Sequence, residues 1–477
     1  MAPGGPIVRL LLVAALLAGA GPAAAQGAAP ADPGGHLARA REAFRTGGML
    51  AALEAARAAV EAQPASVPAL LAFGGMAEFL GEFDAARGAY AKAAALEPAN
   101  LDVLYRSASL AVRVGEYDRA LGLLDRIVAA HAWWARGLFR WGPRSVQIGL
   151  TRAYPALAWL TGAAPRTLRD GVLRSHPVLE HIVQLDIDIL MEKGDLDRAR
   201  RLARGYGVVE AGRDYCHEGR TRGRDWTAER VHRTFRLAAL AQPEQADCLW
   251  WYGQWLTDEG YMRMGRLLVL EGTRLTPSAG NKASGENYLR VRHSGGLEVG
   301  KRAEQLALIA RQRLARDRDP EGAARLLEEA IALEPGYPRP YAYMAQVAWA
   351  RGNREAAVGW LERGVQADPD SWRVRRTLAR ALVATGRLPE AEPHARRAVE
   401  LFGDDVGGRL LLALILYARG KHDEYAQHTE FALRFATQVG HDLPDVRSFL
   451  ENHRRFGPGR SLPPAPDPRL IMGWNQD

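Results

Sequence analysis

A step of 34 residues runs through this chain and limits what it can fold into. Gly47, Gly81 and Gly115 are spaced by it, as are Ala52, Ala86 and Ala120, and Pro64 and Pro98. The step returns in Gly352, Gly386 and Gly420, in Ala323, Ala357 and Ala391, and in Pro335 and Pro369, with Pro243 and Pro277 between. Self-similarity at a period of about 20–50 residues marks stacked units that share a core with their neighbours.

The fullest single copy is 67–100, with Leu70, Phe73, Gly74, Ala77, Ala86, Tyr90, Ala93 and Pro98 in place. In this pattern the chain resembles the tetratricopeptide repeat family, well over 33–134 and 304–439 and loosely over 180–279. The resemblance implies an all-α fold, a right-handed α-α superhelix of two-helix hairpins. Its concave face would be lined by the first helix (A) of each hairpin. The recurring residues have physical reasons. Gly81, Gly115, Gly352, Gly386 and Gly420 fall where helix A ends, and glycine takes the left-handed conformation there at least cost. Asp84, Asp118 and Glu355 then suit the positive start of helix B, and Pro389 suits its first turn. Alanine at the 52/86/120 position lets the two backbones approach. A proline after helix B blocks its continuation. The remaining positions are free to drift, because each hairpin buries its apolar side against the next.

The organisation expected along the chain follows the register. Residues 1–25 read as a signal peptide and 26–35 as a flexible leader. Residues 36–134 form an N-terminal repeat array. Residues 135–303 form an irregular, Trp/Arg-rich helical block with degenerate repeats, including helices at 180–205, a helix B at about 227–241 and a hairpin at 246–279. In that block "SAGNKASGENY", from Ser278, reads as a loop or a long insertion, and "GYGVVEAGRDYCHEGRTRGRDW" breaks the pattern where a helix A should stand. Residues 304–439 form a C-terminal array, 440–456 a terminal helix and 457–477 a proline-rich tail. That tail carries an apolar cluster of Leu470, Ile471, Met472 and Trp474.

The first residues decide where such a chain would work. Arg9, a short apolar run from Leu10 to Leu17 and Ala23-Ala24-Ala25 have the order of a secretory signal cut after Ala25. The run is shorter than the ~20 apolar residues of a spanning helix. The mature protein is therefore expected in the periplasm or secreted, and not membrane-spanning. The net charge of +8 is concentrated, since Trp133–Leu240 holds 19 Arg/Lys against 12 Asp/Glu. A basic patch attracts polyanions. Export makes nucleic acid an unexpected partner and leaves anionic polymer or acidic protein.

Catalytic and cofactor motifs fail on spacing. His176, Glu180 and His181 carry one residue too many for an inverted zinc helix, with Pro177 inside. His217-Glu218 begins a H-E-x-x-H but meets Thr221 where the second histidine belongs. Ser278–Gly285 lacks the phosphate-loop spacing and a preceding strand. There is no G-x-S-x-G in a strand–turn–helix setting. The expectation is a non-enzyme with no metal and no cofactor. Cys216 and Cys248 fall near the starts of successive A helices. In an oxidising compartment they would pair; otherwise they are two buried thiols.

Two candidate surfaces remain. The eight tryptophans Trp133, Trp134, Trp141, Trp159, Trp226, Trp250, Trp251 and Trp255 crowd one third of the chain. They would either fill gaps where repeats are irregular or form a platform that stacks on the sugar rings of carbohydrate or peptidoglycan or clamps an apolar peptide, with nearby arginines for anionic groups. The second surface is implied by the family resemblance, in which positions 2, 5, 9, 12 and 13 of helix A often face the groove. Counting from Trp372 this gives Arg373, Arg376 and Arg380, on one helical face by their spacing. The repeat before adds Arg339, Gln346 and Trp349, and the repeat after adds Tyr417. These arginines resemble a basic carboxylate clamp without its lysines and asparagines. The expected function is an exported scaffold binding a protein or peptide partner through an acidic segment, in envelope assembly or polymer export. The alternative is carbohydrate binding by the central block.

Overall fold

The computed structural model describes residues 35–130, 177–205, 208–209, 214–222, 227–242, 244–293, 299–403 and 405–438, with 451 and 455 besides. The signal and leader of 1–34, the unregistered stretch 131–176 and the tail of 456–477 lie outside the described residues. So does nearly all of the terminal helix expected over 440–456. Among the described residues every regular element is helical and there is no strand.

The helices come in hairpins whose punctuation follows the sequence. α1 (His36–Arg45) and α2 (Met49–Ala62), α3 (Val67–Phe79) and α4 (Phe83–Leu96), and α5 (Leu101–Val114) and α6 (Tyr117–Ala130) are three successive pairs. At the α5–α6 turn Gly115 has φ 86°, and the N–H of Glu116 returns to the Ala111 carbonyl at 2.7 Å. That left-handed closure satisfies carbonyls the helix end would leave unpaired. Ala52, Ala86 and Ala120 are fully buried, as is Ala391, because each lies where the paired helices cross.

Among the described residues from Pro177 to Arg292 the helical pairing is more regular than the sequence suggests. α7 (Pro177–Glu192) pairs with α8 (Leu196–Gly205), α9 (Tyr215–Arg222) with α10 (Ala228–Ala241), and α11 (Ala246–Glu259) with α12 (Met262–Leu275). Two expectations are corrected here. The broken stretch around Cys216 contains a short helix A, α9, and the supposed loop after Pro277 is α13 (Ala279–Arg292). Local composition hid α13, since Gly280, Asn281, Ser284 and Gly285 all disfavour helix interiors. Tertiary contact overrides that: a Cβ on Gly285 would lie 2.1 Å from the Thr273 hydroxyl, so only glycine permits this approach.

α14 (Lys301–Gln312) runs into one wide turn over Arg313–Asp317 before α15 (Pro320–Leu333). Here the expected turn glycine is replaced by Arg318, which adopts φ 50°. Asp319 secures the turn, accepting from the Gly322 N–H at 2.9 Å and pairing with buried Arg313 at 2.7 Å. The last pairs are α16 (Pro338–Ala350) with α17 (Arg354–Ala367), α18 (Trp372–Ala384) with α19 (Leu388–Leu401), and α20 (Val406–Ala418) with α21 (His422–Gln438).

These elements form two compact units. The first contains the described residues to Glu286 together with Gly300–Gln305; the second contains Asn287–Val299 and the described residues from Leu306 onward. In the first unit Ile187, Phe235, Leu249, Tyr252 and Leu268 share one core, and Leu104, Ile127, Leu185 and Ile189 another. In the second, Leu361, Leu378, Leu382, Leu411 and Leu416 are fully or almost fully buried in a common core. Each such leucine contributes roughly 2 kcal/mol by leaving water. Stability is thus distributed along the stack.

Candidate partner-binding face

Within the second unit the first helices of successive hairpins adjoin: α16 packs on α18 and α18 on α20. This arrangement lines up side chains separated by one repeat. Arg339 opens α16 and Arg373 opens α18, and both act on Tyr343, one turn into α16, together with Arg311 from the end of α14. Tyr343 is only 6% exposed. Burial alone pushes its phenol up, but the three guanidiniums, with a hydrogen bond from Arg339, outweigh it and leave the group below its ordinary value. Three guanidiniums near one buried phenol favour its charged form.

The positive strip continues at Trp372. The guanidinium carbons of Arg373 and Arg376 lie 5.0 and 5.2 Å from its ring centroid. Arg376 also donates to both oxygens of Asp405, at 3.0 and 3.1 Å, and both side chains are largely buried. Arg380, one turn past Arg376 on α18, is 7% exposed. Spacing placed the three arginines on one helical face; packing then gave them different depths.

The other expected positions lie apart from this cluster. Trp349 and Tyr417 stand in the last turns of α16 and α20 and pack against the common core. Trp349 lies under Arg354 at 5.5 Å, and Tyr417 meets His422 and Tyr425 edge-on at 5.1 and 5.2 Å. Gln346 is half-buried between these groups along α16. Arg311, Tyr343 and Asp405 were not anticipated. Tyr343 carried a readable signal, standing four residues after Arg339 on the same helix.

In the first unit the structure joins Cys216 of α9 to Cys248 of α11 by a disulfide, with Cα atoms 5.7 Å apart. Of the eight tryptophans, Trp133, Trp134, Trp141, Trp159 and Trp226 lie outside the described residues. Trp255 packs with Tyr252, 6.5 Å between centroids, and with His232 at 5.8 Å. Trp251, one turn earlier on the same helix, is 47% exposed. Among the described residues no group of His, Cys, Asp or Glu is placed to hold a metal ion, and no helix is long and apolar enough to cross a membrane.

Comparison with known proteins defines the class of this architecture. One tetratricopeptide-repeat family model matches residues 80–135 and 314–381, and a second matches 372–415. Repeats of the tetratricopeptide type are thus present in both units, and proteins built from them typically serve as non-catalytic interaction scaffolds. No curated protein sequence matches the chain. Among solved structures, yeast Tom70 is 12% identical, with 89% of this chain and 96% of that one covered and a TM-score of 0.31. The structure titled MamA MSR-1 C2 is 16% identical over 41% of this chain and 98% of that one, at 0.25. The P58(IPK) TPR domain is 15% identical over 86% and 99%, at 0.20.

Proposed function

We propose that this protein is an exported, non-catalytic scaffold that holds an acidic segment of a partner protein on the α16–α18 face of its second unit. The observation that carries the reading is the convergence of Arg311, Arg339 and Arg373, from three different helices, on the buried Tyr343. Arginine grips carboxylates in a bidentate manner, so a face rich in guanidiniums suits an acidic segment. Its role is assembly within the cell envelope or along a polymer-export route. The signal-like residues 1–25 support that setting.

The test uses the full chain crosslinked in its native host, with wild type compared against the double variant Arg339→Gln, Arg373→Gln. The variant is expected to keep its helical signal and thermal midpoint and to lose the crosslinked partner at least tenfold, as two charge-assisted contacts require. An undiminished crosslink to the same partner refutes the proposal. A partner captured through the first unit alone does so equally.

A further inference from the structure

We propose that the groove lined by α4, α5 and α6 in the first unit is a second docking surface, whose occupant is an amphipathic helix of a partner protein with carboxylates beside a two-turn apolar stripe. This surface is independent of the α16–α18 face, being built on the second helices of two hairpins in the first unit. α5 packs against both α4 and α6. The three helices line a groove of about 590 Å³, a volume usual for binding sites. Leu104, Leu110 and Leu123 make its lining apolar, while the small residues Ala91, Ala94 and Gly122 leave it room. Ala91, Gly122 and the lining arginines Arg119 and Arg126 are exposed, so the groove opens to solvent.

Gly122 is the residue that local stability would not choose. It lies inside α6, where glycine is less favourable than alanine. It is not among the glycines with positive φ, and a Cβ there would meet nothing within 4 Å. Gly74, also inside a helix, differs, since a Cβ there would lie 2.4 Å from the Tyr90 ring. Packing explains Gly74. No close contact among the described residues requires Gly122, and what its bare backbone does is keep the groove open.

The groove is tied across at both ends. At one, Arg87 of α4 meets Glu116 of the α5–α6 turn at 2.6 Å, and Arg119 meets the same carboxylate at 3.0 Å. At the other, Arg126 donates to the Pro98 carbonyl, just past α4, at 3.0 Å. From Arg119 to Arg126 α6 runs two turns, about 10 Å. That length suits a helix with apolar side chains at i, i+3 or i+4, and i+7, laid in by ridge-into-groove packing. Charge selects its flanks. The lining holds three arginines, and Glu116 is its one carboxylate. No arginine has to be unpaired for this: Glu116 offsets one positive charge of three, and the surplus favours an acidic flank. The exposed Asp118 and Asp125 of α6 act elsewhere, Asp118 on Lys193 at 3.2 Å and Asp125 on Asp186.

The probe is a fluorescein-labelled peptide of three Leu-Glu-Glu-Leu-Leu-Ala-Glu heptads, with a twin carrying lysine for glutamate, titrated into the full-length protein. Wild type should prefer the acidic peptide. Gly122→Leu, which fills the groove, should weaken its binding about tenfold, as loss of one buried leucine-sized contact requires, with the thermal midpoint unchanged or raised. Gly122→Ala should raise the midpoint and keep most of the affinity. Arg126→Glu, at an exposed position, should narrow the preference between the two peptides. The double variant Arg339→Gln, Arg373→Gln should leave the Gly122-sensitive binding intact, so the two surfaces fail separately. Binding by Gly122→Leu equal to wild type overturns the inference. Equal affinity for the two peptides, or binding of neither by wild type, does so as well. A lowered midpoint for Gly122→Ala assigns the glycine to the fold and also overturns it. If Gly122→Leu converts a dimer to a monomer in sedimentation, the occupant is a second copy and the partner helix is excluded.

Discussion

Single residues carry the strongest electrostatic commitments of the first unit. Lys301 is 9% exposed and lies 2.5 Å from Glu192 and 3.3 Å from Glu304, whose side chain is fully buried. Glu304 also accepts from the Arg263 backbone N–H at 2.9 Å. Removing the ammonium strands two buried carboxylates. Lys301→Met should therefore cost about 3–5 kcal/mol, read as a lowered denaturation midpoint, and adding Glu192→Gln should recover part of it. His232 carries a different commitment. Burial, with help from Arg236, lowers its pKa from 6.5 to about 3. Its folded pKa lies below its unfolded one, so its contribution is full above pH 6.5 and declines as pH falls from there toward 3. The loss is up to about 1.4 kcal/mol per pH unit. The stability difference between wild type and His232→Gln should shrink between pH 7 and pH 5 in urea unfolding; a constant difference would contradict the assignment.

Elements show where local preference yields to packing. α11 and α12 cross so closely that a Cβ on Gly253 would sit 2.7 Å from the Gly265 carbonyl, so the glycine at that repeat position is a contact requirement. α9 is only eight residues long and is not an independently stable helix. It is held by burial of Tyr215 and by the Cys216–Cys248 bond to α11. Closing a separation of 32 residues restricts the unfolded chain by about 3–4 kcal/mol in the loop-entropy model. Reduction, or replacement of both cysteines by serine, should lower the unfolding midpoint of the first unit by a corresponding amount. Unfolding that is the same with and without reductant would remove the bond from the stability account. The hairpins of the second unit are joined differently. Glu392, 5% exposed, gathers Arg396, Arg419 and Lys421, which brings its pKa to about 2 despite its burial.

For the whole molecule the decisive matter is the setting in which two repeat-bearing units operate. A scaffold exported through residues 1–25 would begin its mature chain at Gln26. Intact mass and N-terminal sequencing of protein recovered from the native host should give that start; a chain retaining Met1 would exclude cleavage. An oxidising compartment also agrees with the bond between Cys216 and Cys248. Much of the architecture was legible in residue order. The turn glycines, the buried alanines and the acidic helix starts repeat because each repeat meets the same local demand. The candidate face was only half legible. Arg339 and Arg373 share a register position, but nothing local connects either to Arg311.

What the sequence determined by itself is the hairpin: its period, its turn, its crossing and its ends, all set by interactions within about 34 residues. What only the tertiary structure decided is which side chains from different hairpins meet. It buried Arg380, gave Asp405 to Arg376, made a helix of the Gly/Asn-rich stretch after Pro277, and carried Arg292 across 80 positions to Trp372. The physical reason is range. Helix caps and glycine turns act between neighbours in the chain, whereas charge and apolar burial act between neighbours in space.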